Sequence, residues 1–276
     1  MRLSLGLVAA TACLAACSRP GSDQTFQWSN ELPAGTVVHI RDGAGSINVS
    51  RAEGQAAVVR GSRHWRRSRS SDVSFVVENR GGEYFICAMW RNSGRCDRSD
   101  RSYRGRNNAT LLTMFSLFHR ASDASADFDA VLPANVVVDV QTNLGSVQVD
   151  GLTAGVTARA LNGTVRASRV SGPLSLASIN GDVRLSADSL SPTDSVRLTT
   201  VNGSVHAELP ATTQGNFDLR TTNGVVSSEL PLPAAASSTV RRHLSGQIGS
   251  ATRSVRLHTT NGQVVLTARG ASASQH

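Results

Sequence analysis

The chain contains no lysine, so all 28 of its cationic side chains are arginine, set against 20 acidic ones for a formal net charge of +8. That excess favours anionic partners in general and specifies none of them. Aromatic residues make up only 4% of the chain, which suits a thin core of Val, Leu, Ala and Thr rather than one built on large rings. Beyond the first seventeen residues no stretch is long and apolar enough to make a transmembrane helix. The seven histidines, from His39 to His276, follow no H-E-x-x-H or similar spacing, and there is no phosphate-binding loop and no G-x-S-x-G elbow. No cofactor and no metal ion is expected.

Residues 1–17 read as a bacterial lipoprotein export signal. Arg2 precedes an apolar run from Leu3 to Leu14, too short to span a bilayer. The run ends in Leu14-Ala15-Ala16-Cys17, similar to a lipobox cut before a lipidated cysteine, and Ser18 in the following position points to the outer membrane. An ordinary cleaved secretory signal is the alternative. With Cys13 in the signal and Cys17 taking lipid, Cys87 and Cys96 are left, and in an oxidising compartment they are expected to form a disulfide. Two cysteines nine positions apart, without neighbouring histidines, do not make a metal ligand set.

What the chain has in quantity is repetition. Asn162-Gly163, Asn180-Gly181, Asn202-Gly203, Asn223-Gly224 and Asn261-Gly262 recur down the second half, preceded by the variants Ala44-Gly45 and Leu144-Gly145. From Gly145 onward the turn glycines are 18, 18, 22, 21 and 38 residues apart, the last gap being about two steps. Such periodicity marks a stacked, quasi-one-dimensional protein. Two and four residues after each glycine lie Val147/Val149, Val165/Ala167, Val183/Leu185, Val205/Ala207 and Val264/Leu266, which alternation assigns to the interior. Three residues before it come Thr142, Ala160, Ser178, Thr200, Thr221 and Thr259, a small and mostly hydroxylated column. Asn and Gly both tolerate positive φ, which the corner is expected to need, and a column of asparagines can bond along the stack as amide ladders do.

The expected fold is therefore all-β: a flattened β-solenoid with coils of about 18–22 residues, each holding two short strands. The domain reading is a signal at 1–17, a tether at 18–30, one solenoid domain at 31–270 and a disordered tail at 271–276. Within the domain, 61–126 reads as an irregular Arg-rich insertion, with a hairpin between Asp72 and Trp90, and 131–268 as regular coils.

The phrases Thr200-Val-Asn-Gly-Ser-Val and Thr259-Thr-Asn-Gly-Gln-Val, with Val131-Leu132-Pro133-Ala134-Asn135-Val136 upstream, resemble the bacterial putative-adhesin β-solenoid family over roughly residues 32 to 268. The resemblance implies the fold. It carries over no catalytic residue and does not account for the Arg-rich segment.

That segment holds twelve arginines between Arg60 and Arg106, with Trp65, Trp90 and Tyr103 among them and five acidic residues against them. Arg63, Arg66, Arg67, Arg69, Arg91, Arg95 and Arg98, with Trp65, form the candidate anion-binding surface, since guanidinium forks grip phosphate and carboxylate and stack on rings. On an outer-membrane lipoprotein facing periplasm or exterior, the candidate partners are anionic lipid, lipopolysaccharide or acidic glycan. Nucleic acid is not expected, and a solvated loop is the bland alternative. Residues 110–119, rich in Leu, Met and Phe, are expected to cap an open end of the stack. Glu208 and Glu229 fall five residues after successive turn glycines and are expected to stack about 5 Å apart, the one arrangement here that could serve glycan cleavage or hold a cation. The reading is thus a non-catalytic, lipid-anchored envelope solenoid presenting a binding surface. A polysaccharide-acting enzyme and an envelope scaffold or sensor that binds another protein are the alternatives.

Overall fold

A computed structural model describes residues 21–66, 72–90, 96, 123–232 and 242–270. The N-terminal part supplies β1 (Gly21–Glu31), β2 (Val37–Ala44), β3 (Ile47–Arg51), β4 (Ala56–Trp65), β5 (Val73–Arg80), β6 (Glu83–Trp90) and β7 (Ser125–Leu132). Pairs joined by a turn follow: β8 (Val137–Leu144) with β9 (Val147–Asp150), β10 (Val156–Asn162) with β11 (Val165–Val170), and β12 (Leu174–Asn180) with β13 (Val183–Ala187). Next come β14 (Val196–Asn202) with β15 (Val205–Pro210) and β16 (Gly215–Asn223) with β17 (Val226–Ser228). The lone strand β18 (His243–Ile248) precedes the last pair, β19 (Ser254–Asn261) with β20 (Val264–Arg269). No α-helix occurs among the described residues.

The strands form two ten-stranded sheets. Sheet A runs β1-β4-β7-β3-β9-β11-β13-β15-β20-β17, and sheet B runs β5-β6-β2-β8-β10-β12-β14-β19-β16-β18. Each coil lays one strand in each sheet, and coil pairs with coil in parallel. Antiparallel pairing is confined to the ends, at β1 with β4, β4 with β7, β5 with β6 and β16 with β18. At about 4.8 Å per strand the stack is about 43 Å long. Alternation sets what lies between the sheets: the valine, leucine and alanine columns expected inside, from Val147/Val149 to Val264/Leu266, are all buried.

The corner explains the recurrent dipeptide. Turn glycines have φ from +145° at Gly145 to +158° at Gly163. A Cβ on Gly163 would lie 1.9 Å from the carbonyl oxygen of Gly145, and one on Gly203 2.3 Å from that of Gly181, so stacking as well as φ demands glycine. The asparagines do not share that conformation, for Arg169 is the one non-glycine residue with positive φ among the described residues. Their role is the ladder: Asn180 donates to Asn162 (2.7 Å), Asn202 to Asn180 (2.7 Å), Asn261 to Asn202 (2.8 Å) and Asn223 to Asn261 (2.8 Å). Beneath it the hydroxyls of Thr142, Ser178, Thr200, Thr221 and Thr259 each donate to the turn-glycine carbonyl of the neighbouring coil at 2.7–2.9 Å.

Four sequence readings need correction. Gly21–Glu31, read as tether up to residue 30, forms edge strand β1, because Phe26 stacks on Phe75 (4.9 Å) and Trp28 packs on Tyr84 (5.1 Å). The stretch 61–126 is not irregular throughout: β4 runs to Trp65, β7 begins at Ser125, and the expected hairpin β5–β6 joins the stack, because β6 pairs parallel with β2. The 38-residue gap before Gly262 is not two coils in sequence. The chain passes through β18 at the edge of sheet B, and β19 and β20 then insert between the two preceding coils. Consequently Glu208 and Glu229 are not neighbours, since β20 separates them. Glu208 accepts from Ser186 Oγ (2.8 Å) and pairs with Arg269 (3.3 Å), while Glu229 accepts the Ala268 amide (2.9 Å).

The expected disulfide is formed, with Cys87 and Cys96 5.8 Å apart at Cα and both buried beside Phe85 and Met89. Nearby, His39 stacks on Phe85 (4.3 Å), and His39, Arg41 and Arg159 converge on Asp139. Burial alone would raise the Asp139 carboxyl, but the His39 hydrogen bond and the two guanidiniums lower it to about 2.

Candidate anion-binding face

The outward positions of β14, β19, β16 and β18 in sheet B bring together a cluster of basic side chains. In β14 the run Val196-Arg197-Leu198 buries both aliphatic side chains and turns Arg197 to solvent. In β19 the run Val255-Arg256-Leu257 does the same with Arg256. Insertion of β19 beside β14 sets Arg197 directly opposite Arg256. Neither arginine forms an ion pair among the described residues, and like charges facing each other on adjacent strands destabilise a sheet.

On the other side of β19, β16 places Asp218 opposite Arg256 and Arg220 opposite His258, and β18 places His243 opposite Arg220. Asp218 is the hub: Arg220 Nε donates to it (2.7 Å), and His243 Nε2 (3.1 Å) and His258 Nε2 (3.3 Å) reach its two oxygens. Burial works against its charge, but Arg220 and His258 outweigh that, so its carboxyl is held below the ordinary value. Thr200, Thr222, Thr260 and Arg242 join Arg220, His243 and His258 around an open depression of about 480 Å³. Four arginines (Arg197, Arg220, Arg242, Arg256) and two histidines thus cluster at this end of the sheet with Asp218, which is already engaged; the carboxylate in the row of Arg197, Asp139, lies three strands away and is held by His39 and Arg41. Such a face can hold an anionic surface by charge and bidentate hydrogen bonds, and hydroxyls at its margin can complete the contacts.

The residues singled out from sequence lie elsewhere. Arg63 turns inward, and its Nη1 donates to the Val73 carbonyl (3.0 Å). Trp65 packs against the core, and Arg66 is exposed just past β4. Arg67, Arg69, Arg91, Arg95 and Arg98 are outside the described residues, as are Cys17 and the expected cap at 110–119. The sheet-B face was missed. Its signal was the repeated Val-Arg-Leu six residues before a turn glycine, but 59 residues separate the two copies and the insertion that joins them cannot be read from spacing.

Two parallel-stacked sheets joined at Asn-Gly corners, without a helix among the described residues, define an all-β solenoid-like class. The chain matches the model of the Toastrack DUF4097 family over residues 110–267 and belongs to that family. Its fold is similar to a solved structure described as a "putative cell adhesion protein" from Clostridium sporogenes ATCC 15579. The two share 13% identity at a TM-score of 0.51, over 91% of this chain and 100% of that one. A second structure, a "putative adhesin" from Bacteroides fragilis NCTC 9343, aligns at 9% identity and a TM-score of 0.38, over 88% of this chain and 96% of that one. No curated protein matches the chain.

Proposed function

We propose that this protein is a non-catalytic, lipid-anchored solenoid of the bacterial envelope, held at the outer membrane through Cys17, whose sheet-B face binds an anionic envelope or surface component. The observation that carries the reading is Arg197 facing Arg256 across β14 and β19. A like-charge pair that costs stability in the isolated fold gains a counter-charge when an anionic surface is engaged. The lipobox-like Leu14-Ala15-Ala16-Cys17 supports the anchor. The description of the similar Clostridium sporogenes structure as a "putative cell adhesion protein" fits a role in presenting a surface. The enzymatic alternative loses its best support, because the carboxylates it needed are separated by β20.

The test is co-sedimentation of the Cys17→Ser chain with anionic and with zwitterionic vesicles, and with lipopolysaccharide-containing membranes, across a salt titration. The expected result is binding to the anionic surfaces at low salt that falls steeply as salt rises. Equal binding to zwitterionic vesicles, or binding indifferent to salt, would refute the reading.

A further inference from the structure

The opposite face of the stack, the outer surface of sheet A, carries a second cationic pair in a different setting. Arg166 of β11 lies opposite Arg184 of β13, which in turn lies opposite His206 of β15. Two residues further along the same strands a parallel row reads Ser168, Ser186, Glu208, and then Thr267 on β20. The two rows bound a shallow basin of about 240 Å³, with Val265 forming its apolar wall. Strand geometry separates the rows by about 6.6 Å and the members of a row by about 4.8 Å. The basin exists because Ser168 and Ser186 are short, whereas the row is closed at its ends by bulky ion pairs: Asp150 with Arg169 and Glu208 with Arg269.

We infer that this basin binds a carboxylated sugar residue, with its carboxylate on Arg166 and Arg184 and its ring hydroxyls on Ser168, Ser186 and Glu208. The two rows ask for different chemistry in one small ligand. Facing guanidiniums, of which Arg166 forms no ion pair among the described residues, ask for an anion. Glu208 lies between Ser186 and Thr267 and already accepts from Ser186 Oγ (2.8 Å) and pairs with Arg269 (3.3 Å), but a carboxylate has lone pairs left to accept from the hydroxyl groups of a ligand, while Ser186 can still accept and Ser168 can donate and accept. Phosphate satisfies only the first row and is repelled by Glu208; a neutral sugar satisfies only the second and leaves Arg166 without a counter-charge, since among the described residues Asp182 pairs with Arg184 (3.0 Å) and no carboxylate pairs with Arg166. A uronate-type sugar carries both groups, on a ring that spans the rows. The site lies on the other sheet from Arg197 and Arg256 and does not depend on the surface binding proposed for that face.

The experiment is a glycan panel against the full chain. It pairs oligomers and monomers of glucuronate, galacturonate and mannuronate with the matching neutral sugars and with inorganic phosphate, followed by titration of each binder. At least one uronate is expected to bind while its neutral counterpart and phosphate do not. Binding of oligomer and monomer alike would mark a single-residue site; binding of oligomer alone would mark a polymer as the source. Arg166→Gln is expected to weaken the uronate about tenfold. Ser168→Leu, which fills the basin without changing its charge, is expected to abolish binding, and Arg197→Gln is expected to leave it intact. If no uronate binds better than its neutral partner, if phosphate competes fully, or if Arg166→Gln and Ser168→Leu bind as the parent does, the inference is overturned. Vesicle binding lost in Arg197→Gln while uronate binding persists would show that the two faces act independently.

Discussion

The side-chain amide of Asn261 donates to that of Asn202 at 2.8 Å although the two are 59 positions apart in the chain, and that bond places the last coil of the chain inside the stack rather than at its end. The chain runs past its own neighbour, adds β18 to the edge and returns to fill the gap between β14 and β16. Removal of a central ladder member should therefore cost more than removal of a terminal one. Asn202 bonds to both Asn180 and Asn261, whereas Asn223 donates to Asn261 alone. Asn202→Ala is expected to destabilise by about 1 kcal/mol and Asn223→Ala by about half that in urea unfolding. Equal costs would contradict the ladder order.

The turn glycines are expected to be intolerant for steric reasons that distinguish them from other glycines. A Cβ on Gly203 meets the Gly181 carbonyl oxygen at 2.3 Å with φ at +155°, whereas one on Gly54 meets nothing within 4 Å. Gly203→Ala should cost about 3 kcal/mol or more, and Gly54→Ala about 0.5 kcal/mol or less, in parallel thermal unfolding. A mild Gly203→Ala variant would mean that the coils can spread at the corner.

At Ala160 the corner hydroxyl is replaced by a methyl group. Ala160 stands in the column of Thr142 and Ser178, whose hydroxyls donate to the carbonyls of Gly45 and Gly163. Ala160→Ser supplies the same donor facing Gly145 and is expected to stabilise by about 1 kcal/mol. A neutral or destabilising result would show that the buried site does not admit the extra oxygen.

A buried and a half-buried carboxylate should give opposite pH signatures. Asp42, opposite Thr142 in that same column, is fully enclosed, and burial raises its carboxyl well above 3.8, more than its hydrogen bond from Ala44 lowers it. The folded state therefore holds the proton more tightly, and stability falls as pH rises above 3.8 towards the raised value. Asp42→Thr, which restores the residue type of the column, is expected to gain stability over the parent as pH rises and to match it in acid. Asp139 behaves conversely: with its carboxyl lowered from 3.8 to about 2, its contribution is complete above 3.8 and is lost as pH falls through about 2. Asp139→Asn should be destabilised at neutral pH and converge on the parent in acid. Unfolding curves across the acid and neutral range test both signs.

The regular coils were legible because each turn glycine registers the alternation around it, and burial of Val165, Val183 and Val205 at the same offset follows from sterics alone. The disulfide and the β5–β6 hairpin were legible for equally local reasons. Spatial order was not, since any coil can stack on any other when all present the same edge. Hence Glu208 and Glu229 looked adjacent, and Arg197 and Arg256 did not. The strand β1 was obscured by its polar and small residues, with only Phe26 and Trp28 to mark the buried contacts.

If Arg197 and Arg256 face each other at a cost to the fold because they serve binding, removing both charges should separate stability from function. Two assays on the Arg197→Gln/Arg256→Gln variant show this: unfolding free energy at low salt, and co-sedimentation with anionic vesicles. The variant is expected to be more stable than the parent by about 0.5 kcal/mol, with the gain vanishing at high salt, and to lose most of its vesicle binding. A variant that is less stable, or that binds anionic vesicles as the parent does, would contradict a binding role for the pair.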